Sequence, residues 1–331
     1  MHLTILTHNK CNLHCDFCSN EALMYDDSKP RKDLDVLLEQ HLKEHGEKYH
    51  MFHLSGGEPT MNAGLLENIL SVLLSHSEEK IIHLYTNGSY LNAEMVDVIN
   101  QYPNIVVNVS IDRLLEDERG FFKLLDNDYR EGYGTLHCIL GLRNLMIRVV
   151  APRQLFRSFT LAAELSMLQR YFDCPVLIDM DKRTENLNAF GMDDAYYVGE
   201  TILRLTTLGS YSEGKVMFNK FFESPCQNEC GESMKWTGEI LTGCQLSSEQ
   251  GCESLRRKMI PGMYDLVSQL VNYPSFTGET KLHDQPQYDD RVGYQGTREE
   301  LTPLRKQLQY EERVNVRFKK KETEILFKEV K

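Results

Sequence analysis

The chain is 331 residues long, enough for two domains of about 100–200 residues each or for one α/β barrel with an appendage. Its hydrophobic fraction of 41% and charged fraction of 26% are those of a packed globular protein and exclude disorder over most of its length. Forty-nine acidic against 37 basic residues leave a net charge of −12, which argues against nucleic acid or another long polyanion as the main partner.

Six short β-branched or apolar runs read as strands: HLTIL near residue 2, MFHL near 51, KIIHLYT near 80, NIVVNVSI near 104, LMIRVV near 145 and PVLIDM near 175. Between them, residues 33–45, 63–76 and 159–172 place apolar side chains at spacings of three and four, one helical face turned to a sheet. Strand and helix alternate, so parallel βαβ units are expected, with ligand-binding loops gathered at the carboxyl ends of the strands. After about residue 205 the alternation is expected to stop. A glycine-bearing, cysteine-rich stretch follows, then a polar segment from 272 to 298 that reads as a surface loop or a substrate cover, then a basic run within 317–330 that reads as a solvated face. The expected divisions are 1–205, 206–265 and 266–331. No run approaches the roughly 18 apolar residues of a spanning helix. The amino terminus lacks the charged and apolar regions of a signal peptide, so a cytoplasmic protein without membrane partners is expected.

Nine cysteines in a reducing compartment point to metal or thiol chemistry rather than disulfides. Cys138 and Cys174 stand alone among apolar neighbours and read as small buried hydrophobes. Cys11, Cys15 and Cys18 form a C-x3-C-x2-C array directly after the first strand, on a loop short enough to aim three sulfurs at one centre. A closed zinc site wants four ligands, whereas a cubane iron–sulfur cluster on three thiolates presents one iron to a ligand; the spacing alone leaves both open.

With its aromatic Phe17 before the last cysteine, this array resembles the signature of the radical S-adenosylmethionine (radical SAM) enzymes. The resemblance continues at the next strand ends. Ser55, Gly56, Gly57 and Glu58 in SGGEPT look like the family's turn for the methionine amino group, and Thr86 and Asn87 in YTNGS look like its T-N-G turn. Ser110 in VSID and Arg148 in LMIRVV fall where a serine and an arginine of the family hold the cofactor's ribose and carboxylate. What the resemblance implies is a partial (βα)6 barrel of α/β class holding a 4Fe-4S cluster and S-adenosyl-L-methionine. One electron from an external reductant such as flavodoxin or ferredoxin would cleave the sulfonium to methionine and a 5′-deoxyadenosyl radical, which takes a hydrogen atom from substrate. The residues agree with an amino-acid-binding loop: glycines admit close backbone approach, Glu58 offers a carboxylate to an ammonium group, and Arg148 on an apolar strand needs an anionic partner, either the cofactor's carboxylate or an acidic side chain of the barrel wall.

Cys226, Cys230, Cys244 and Cys252 surround MKWTGEILTGC, which reads as a hairpin turning at Thr237–Gly238. This region resembles the SPASM or twitch auxiliary-cluster extensions of radical SAM enzymes, with four cysteines instead of about seven, and implies one auxiliary 4Fe-4S cluster; a four-thiolate zinc site is the alternative. Asp179 and Asp181, at the end of the sixth strand, are the candidate acid or base, with salt bridging to Lys182 or Arg183 as the bland reading. The expected function is hydrogen abstraction from a peptide side chain or a small polar metabolite. The competing functions are modification of RNA and a non-catalytic cluster-binding scaffold with structural zinc.

Overall fold

The computed structural model describes residues 1–15, 18, 28–76, 79–114, 120–121, 134–180, 192–210, 215–218 and 231–242. Contacts divide the chain into Met1–Asn272 and Tyr273–Lys331, and every described residue lies in the first unit. Its elements in chain order are β1 (His2–Leu6), α1 (Leu34–His45), β2 (Met51–Ser55), α2 (Ala63–His76), β3 (Ile81–Thr86), α3 (Ala93–Asn100), β4 (Ile105–Ser110), α4 (Thr135–Leu140), β5 (Leu145–Ala151), α5 (Leu161–Phe172), β6 (Val176–Met180), α6 (Met192–Thr207), β7 (Val216–Phe218), β8 (Glu232–Met234) and β9 (Ile240–Thr242).

Among the described residues nine strands form one sheet in the order β7-β6-β5-β4-β3-β2-β1-β8-β9, parallel throughout except for the β8–β9 hairpin. From β1 to β7 the spatial order is the chain order. Right-handed crossovers of one step each put every connecting helix on the same face of the sheet. That face is apolar: Leu3, Ile5, Phe52, Leu54, Ile82, Leu84, Val109, Ile147 and Val176 are fully buried. The alternate residues point to the opposite face, where none of the described crossover helices lies. Local signals place the elements; the Asn92 side chain accepts from the Met95 N–H at 2.8 Å and starts α3, and Asp173 in the left-handed region ends α5.

The six expected strands are β1 to β6. One expectation needs correction. Alternation does not stop near 205, because α6 leads into a seventh parallel strand whose three residues were too few to carry a period. The hairpin does turn where expected, with Gly238 at φ 84° and its N–H donated to the Lys235 carbonyl at 2.8 Å, but it is also an integral part of the sheet, β8 lying parallel to β1. Glu232 fixes this placement by accepting from Lys48 Nζ at 2.8 Å and from the Tyr49 hydroxyl. Trp236, fully buried, donates its indole N–H to the Ser28 hydroxyl at 2.9 Å, while its carbonyl accepts from the Arg31 N–H at 2.9 Å. The hairpin therefore props up the segment that follows the first cysteine group. Among the described residues no helix is long and apolar enough to cross a membrane.

Candidate active site

Three loops meet at the carboxyl ends of β1, β2 and β3. The first, described at residues 7–15 and 18, is fastened to the second by four backbone-directed bonds: Thr7 donates its N–H and hydroxyl to the Ser55 carbonyl at 2.9 and 3.3 Å, and the Gly57 and Glu58 N–H groups donate to the His8 and Lys10 carbonyls at 2.7 Å each. Gly56 sits at φ 123°, and a Cβ there would stand 2.6 Å from the His8 carbonyl; a Cβ on Gly57 would overlap the Lys10 carbonyl. The two glycines are thus required by the approach of one protein backbone to another, immediately before Cys11. The sequence had attributed their need to a ligand.

Glu58 joins the second loop to the third. Its carboxylate, 2% exposed, accepts from four donors: the Thr60 N–H at 3.1 Å, the Thr60 hydroxyl at 2.5 Å, the Thr86 hydroxyl at 2.6 Å and the Asn87 N–H at 2.6 Å. Burial raises the carboxyl's pKa above its ordinary value, and these donors pull against the rise. Asn87 then reaches the first loop, donating its amide to the Asn12 side-chain oxygen at 2.8 Å and toward Cys11 Sγ at 3.8 Å. Glu58 was expected from the sequence; Thr60 and the Asn12–Asn87 contact were not, and nothing in the linear sequence marks them.

The donor set fits an iron–sulfur cluster. Cys11, Cys15 and Cys18 are half-buried, none is in a disulfide, and the Cys18 N–H donates to the Cys15 carbonyl at 3.0 Å, a turn that brings the last two close. Cys11 Sγ accepts from the Leu13 N–H at 3.4 Å as well as from Asn87, the kind of N–H···S bonding that suits a thiolate ligand. Burial pushes the Cys11 thiol up in pKa, the penalty that a bound cation removes. Among the described residues no group of three or more His, Cys, Asp or Glu side chains is gathered closely enough to hold a cation, so the fit rests on donor chemistry alone.

The face of the sheet opposite the described crossover helices carries a continuous polar stripe. His53 stacks on His2 with ring centroids 4.9 Å apart and meets His83 and Tyr85 edge-on at 5.5 and 5.6 Å; Asn108 bonds His83 Nδ1 at 3.1 Å. The Arg148 guanidinium lies 4.8 Å from the Tyr85 ring centre and is ion-paired with Asp179. Ser110 is the register partner of Arg148 across β4 and β5, so the two share this face. Burial, with neighbouring His2, His83 and Arg148 adding to it, lowers the pKa of His53 to about 3, and burial also lowers that of His83; both imidazoles are neutral near pH 7. Only Ser110, Arg148 and Asp179 of this stripe were singled out from sequence. The signal was present, since MFHL, IIHLYT, IVVNVS and LMIRVV all interrupt apolar runs with polar residues at alternate positions.

The structure therefore brings Cys11, Cys15, Cys18, Ser55, Gly56, Gly57, Glu58, Thr86 and Asn87 to one edge and sets Ser110, Arg148 and Asp179 beside it on the inner face. Arg148 finds an acidic side chain of the sheet, and Asp179, expected to be an acid or base or to bridge Lys182 or Arg183, is paired with Arg148. Phe17, Asp181, Cys226, Cys230, Cys244 and Cys252 lie outside the described residues.

Comparison with known proteins agrees with this geometry. The model of the radical SAM superfamily matches residues 5–133. An uncharacterised protein of Methanocaldococcus jannaschii, MJ0103, is 32% identical over 119 residues, taking in 33% of this chain and 27% of its own length. Among solved structures, Streptococcus suis SuiB bound to precursor peptide SuiA superposes with a TM-score of 0.52 at 15% identity, over 85% of this chain and 66% of SuiB. Native anSMEcpe with bound AdoMet gives 0.54 at 14% identity, over 80% and 81% of the two chains. The chain thus spans about a quarter of MJ0103 and under two thirds of the first of these structures; at these identities the structural likeness is one of fold.

Proposed function

We propose that this chain, whose residues 5–133 match the radical SAM superfamily model, is a radical SAM enzyme that abstracts a hydrogen atom from a peptide side chain. One observation carries the proposal: Glu58, Gly57 and Asn87 bind the SGGEPT and YTNGS loops to the backbone and sulfur of the cysteine loop, so that three separate loops act as one cradle. Cys11, Cys15 and Cys18 would hold a 4Fe-4S cluster there, with S-adenosyl-L-methionine as its co-reactant. When bound, these groups supply a reductive cleavage of the sulfonium that yields a carbon radical.

The chain's own residues position and exclude. Loop residues 55–57 offer backbone groups at the cluster edge, the Glu58 clasp keeps them rigid, and Asn87 donates to Cys11 Sγ. Arg148 spends part of its five-donor fork on Asp179 and Tyr85, and the rest of the fork would serve an anion, with Ser110 beside it for a hydroxyl. Neutral His53 and His83, with Tyr85 and Asn108, line the face below and offer hydrogen bonds without net charge, suited to a polar peptide side chain. Two fold relatives support the substrate class: SuiB is bound to a precursor peptide, and anSMEcpe to AdoMet and the Cp18Cys peptide (TM-score 0.53).

An auxiliary cluster on Cys226, Cys230, Cys244 and Cys252 belongs to the same proposal. Cys230 stands two residues before Glu232 and Cys244 two residues after Thr242, so both flank the paired strands β8 and β9 in sequence. Its role is to relay electrons or shape the substrate site.

The test is anaerobic reconstitution with iron and sulfide. The intact protein should hold about eight irons and form 5′-deoxyadenosine with a strong reductant, and the Cys11→Ala/Cys15→Ala/Cys18→Ala variant about four irons with no cleavage. Undiminished cleavage in the triple variant refutes the reading. About four irons and one zinc in the intact protein would replace the auxiliary cluster by a zinc site.

A further inference from the structure

His8, three residues before Cys11, is 6% exposed and belongs neither to the cysteine array nor to the Glu58 clasp. Its backbone carbonyl accepts from the Gly57 N–H at 2.7 Å. Its side chain turns back along its own loop, where Nδ1 accepts from the Lys10 N–H at 3.1 Å. The Lys10 carbonyl, half of the peptide bond to Cys11, accepts from the Glu58 N–H at 2.7 Å. Lys10 is therefore held at both of its backbone groups, by an imidazole of its own loop and by an amide of the SGGEPT loop. The His8 ring also lies against the Glu58 backbone. One side chain thus spans the residue before the first cysteine and the residue whose carboxylate binds Thr86 and Asn87.

The chemistry of the ring separates this role from packing. Burial lowers the pKa of His8 from its usual 6.5, so the imidazole is neutral near pH 7. With Nδ1 an acceptor, the ring proton is assigned to Nε2, which is buried without an acceptor in hydrogen-bonding geometry. An unmet buried donor lowers stability, and an apolar side chain would fill the space without that cost. What histidine supplies and an apolar residue does not is the acceptor for Lys10. We propose that His8 is a positioning residue for Cys11: its Nδ1 fixes the backbone of Lys10, and through it the direction in which the Cys11 side chain leaves the loop. This rests on the radical SAM reading of Cys11, Cys15 and Cys18. The Leu13 N–H and the Asn87 amide act on the Cys11 sulfur, whereas His8 acts on the main chain that carries it. Groups that orient a metal ligand govern metal affinity by about 10–100-fold, and neither the His8 ring nor its proton takes part in the reaction.

Asparagine carries its side-chain oxygen where histidine carries Nδ1, and leucine matches asparagine in size and shape without the acceptor. His8→Asn and His8→Leu therefore separate the bond from the volume. Each variant is reconstituted anaerobically with iron and sulfide and then mixed with a strong ferrous chelator; the iron followed is the portion that the Cys11→Ala/Cys15→Ala/Cys18→Ala variant lacks. That iron should leave His8→Leu about tenfold or more faster than the intact protein, and His8→Asn within about threefold of the intact rate. The electron paramagnetic resonance spectrum of the reduced cluster should be unchanged in His8→Asn and altered in His8→Leu, a signature that packing far from the cysteine loop does not move. Urea unfolding followed by Trp236 fluorescence certifies that both variants are folded. Iron loss and spectra equal to those of the intact protein in His8→Leu overturn the proposal and leave the radical SAM reading standing. Equal impairment of the two variants also overturns it, because the ring's volume would then be the requirement. So does a His8→Leu chain that fails to fold where His8→Asn folds, since the bond would then serve the fold as a whole. An intact protein that takes up no more iron than the triple cysteine variant overturns the radical SAM reading itself.

Discussion

Glu58 gives the sharpest test of how the site is held together. Two of its four donors, the Thr60 and Asn87 N–H groups, belong to backbone that cannot turn away, while the Thr60 and Thr86 hydroxyls can rotate to other acceptors. Glu58→Ala therefore leaves two buried N–H groups without acceptors, at about 1–3 kcal/mol each, a loss of roughly 2–6 kcal/mol. Glu58→Gln preserves shape; its amide oxygen can keep the Thr60 and Thr86 donors, but its NH2 then faces the Asn87 N–H, and one lost bond costs about 1–3 kcal/mol. Urea unfolding followed by the fluorescence of Trp236, the single tryptophan, measures both. At a slope of about 3 kcal/mol/M the alanine variant should unfold about 1 M or more earlier than the intact protein, and the glutamine variant by an intermediate amount. A carboxylate whose sole duty was to hold the cofactor's ammonium group would give the opposite pattern, with unchanged unfolding and weakened S-adenosylmethionine binding. An unchanged midpoint in Glu58→Ala refutes the clasp.

Asp179→Asn should cost about 3 kcal/mol, because it leaves the Arg148 charge buried against Tyr85 without its counter-ion, whereas Arg148→Met/Asp179→Leu should recover most of that stability and still lose S-adenosylmethionine binding; thermal unfolding and ligand titration distinguish the two. His53, with a pKa lowered from 6.5 to about 3 by burial, binds fewer protons folded than unfolded between those values, so its contribution is fully present above pH 6.5 and is lost as the pH falls toward 3. Stability should drop on acidification by up to about 1.4 kcal/mol per pH unit from this group, and His53→Gln should flatten the profile; an identical slope in that variant would show that His53 is not buried neutral.

The alternating part of the fold was legible in the sequence because each signal is local. A strand of HLTIL type, a helix with apolar spacings of three and four and a cap such as Asn92 are all decided within about ten residues, and β1 to β6 fall where these patterns put them. The motif loops were legible for a related reason: C-x3-C-x2-C, SGGEPT and YTNGS are contiguous, and parallel topology sends every loop after a strand to one edge. The pairing of β8 with β1 was not, since a three-residue strand carries no period and its partner is more than 200 residues away. The same holds within the site. The SGGEPT motif suggested that Gly56 and Gly57 serve a ligand; the folded chain brings the His8 and Lys10 carbonyls against them. Arg148 required an anion on chemical grounds, but only the register of β5 and β6 puts Asp179 within reach. Likewise only the folded chain shows that the buried Trp236 holds Ser28 and Arg31 against the hairpin. Residue type decides which partners a side chain needs; long-range packing decides which it has.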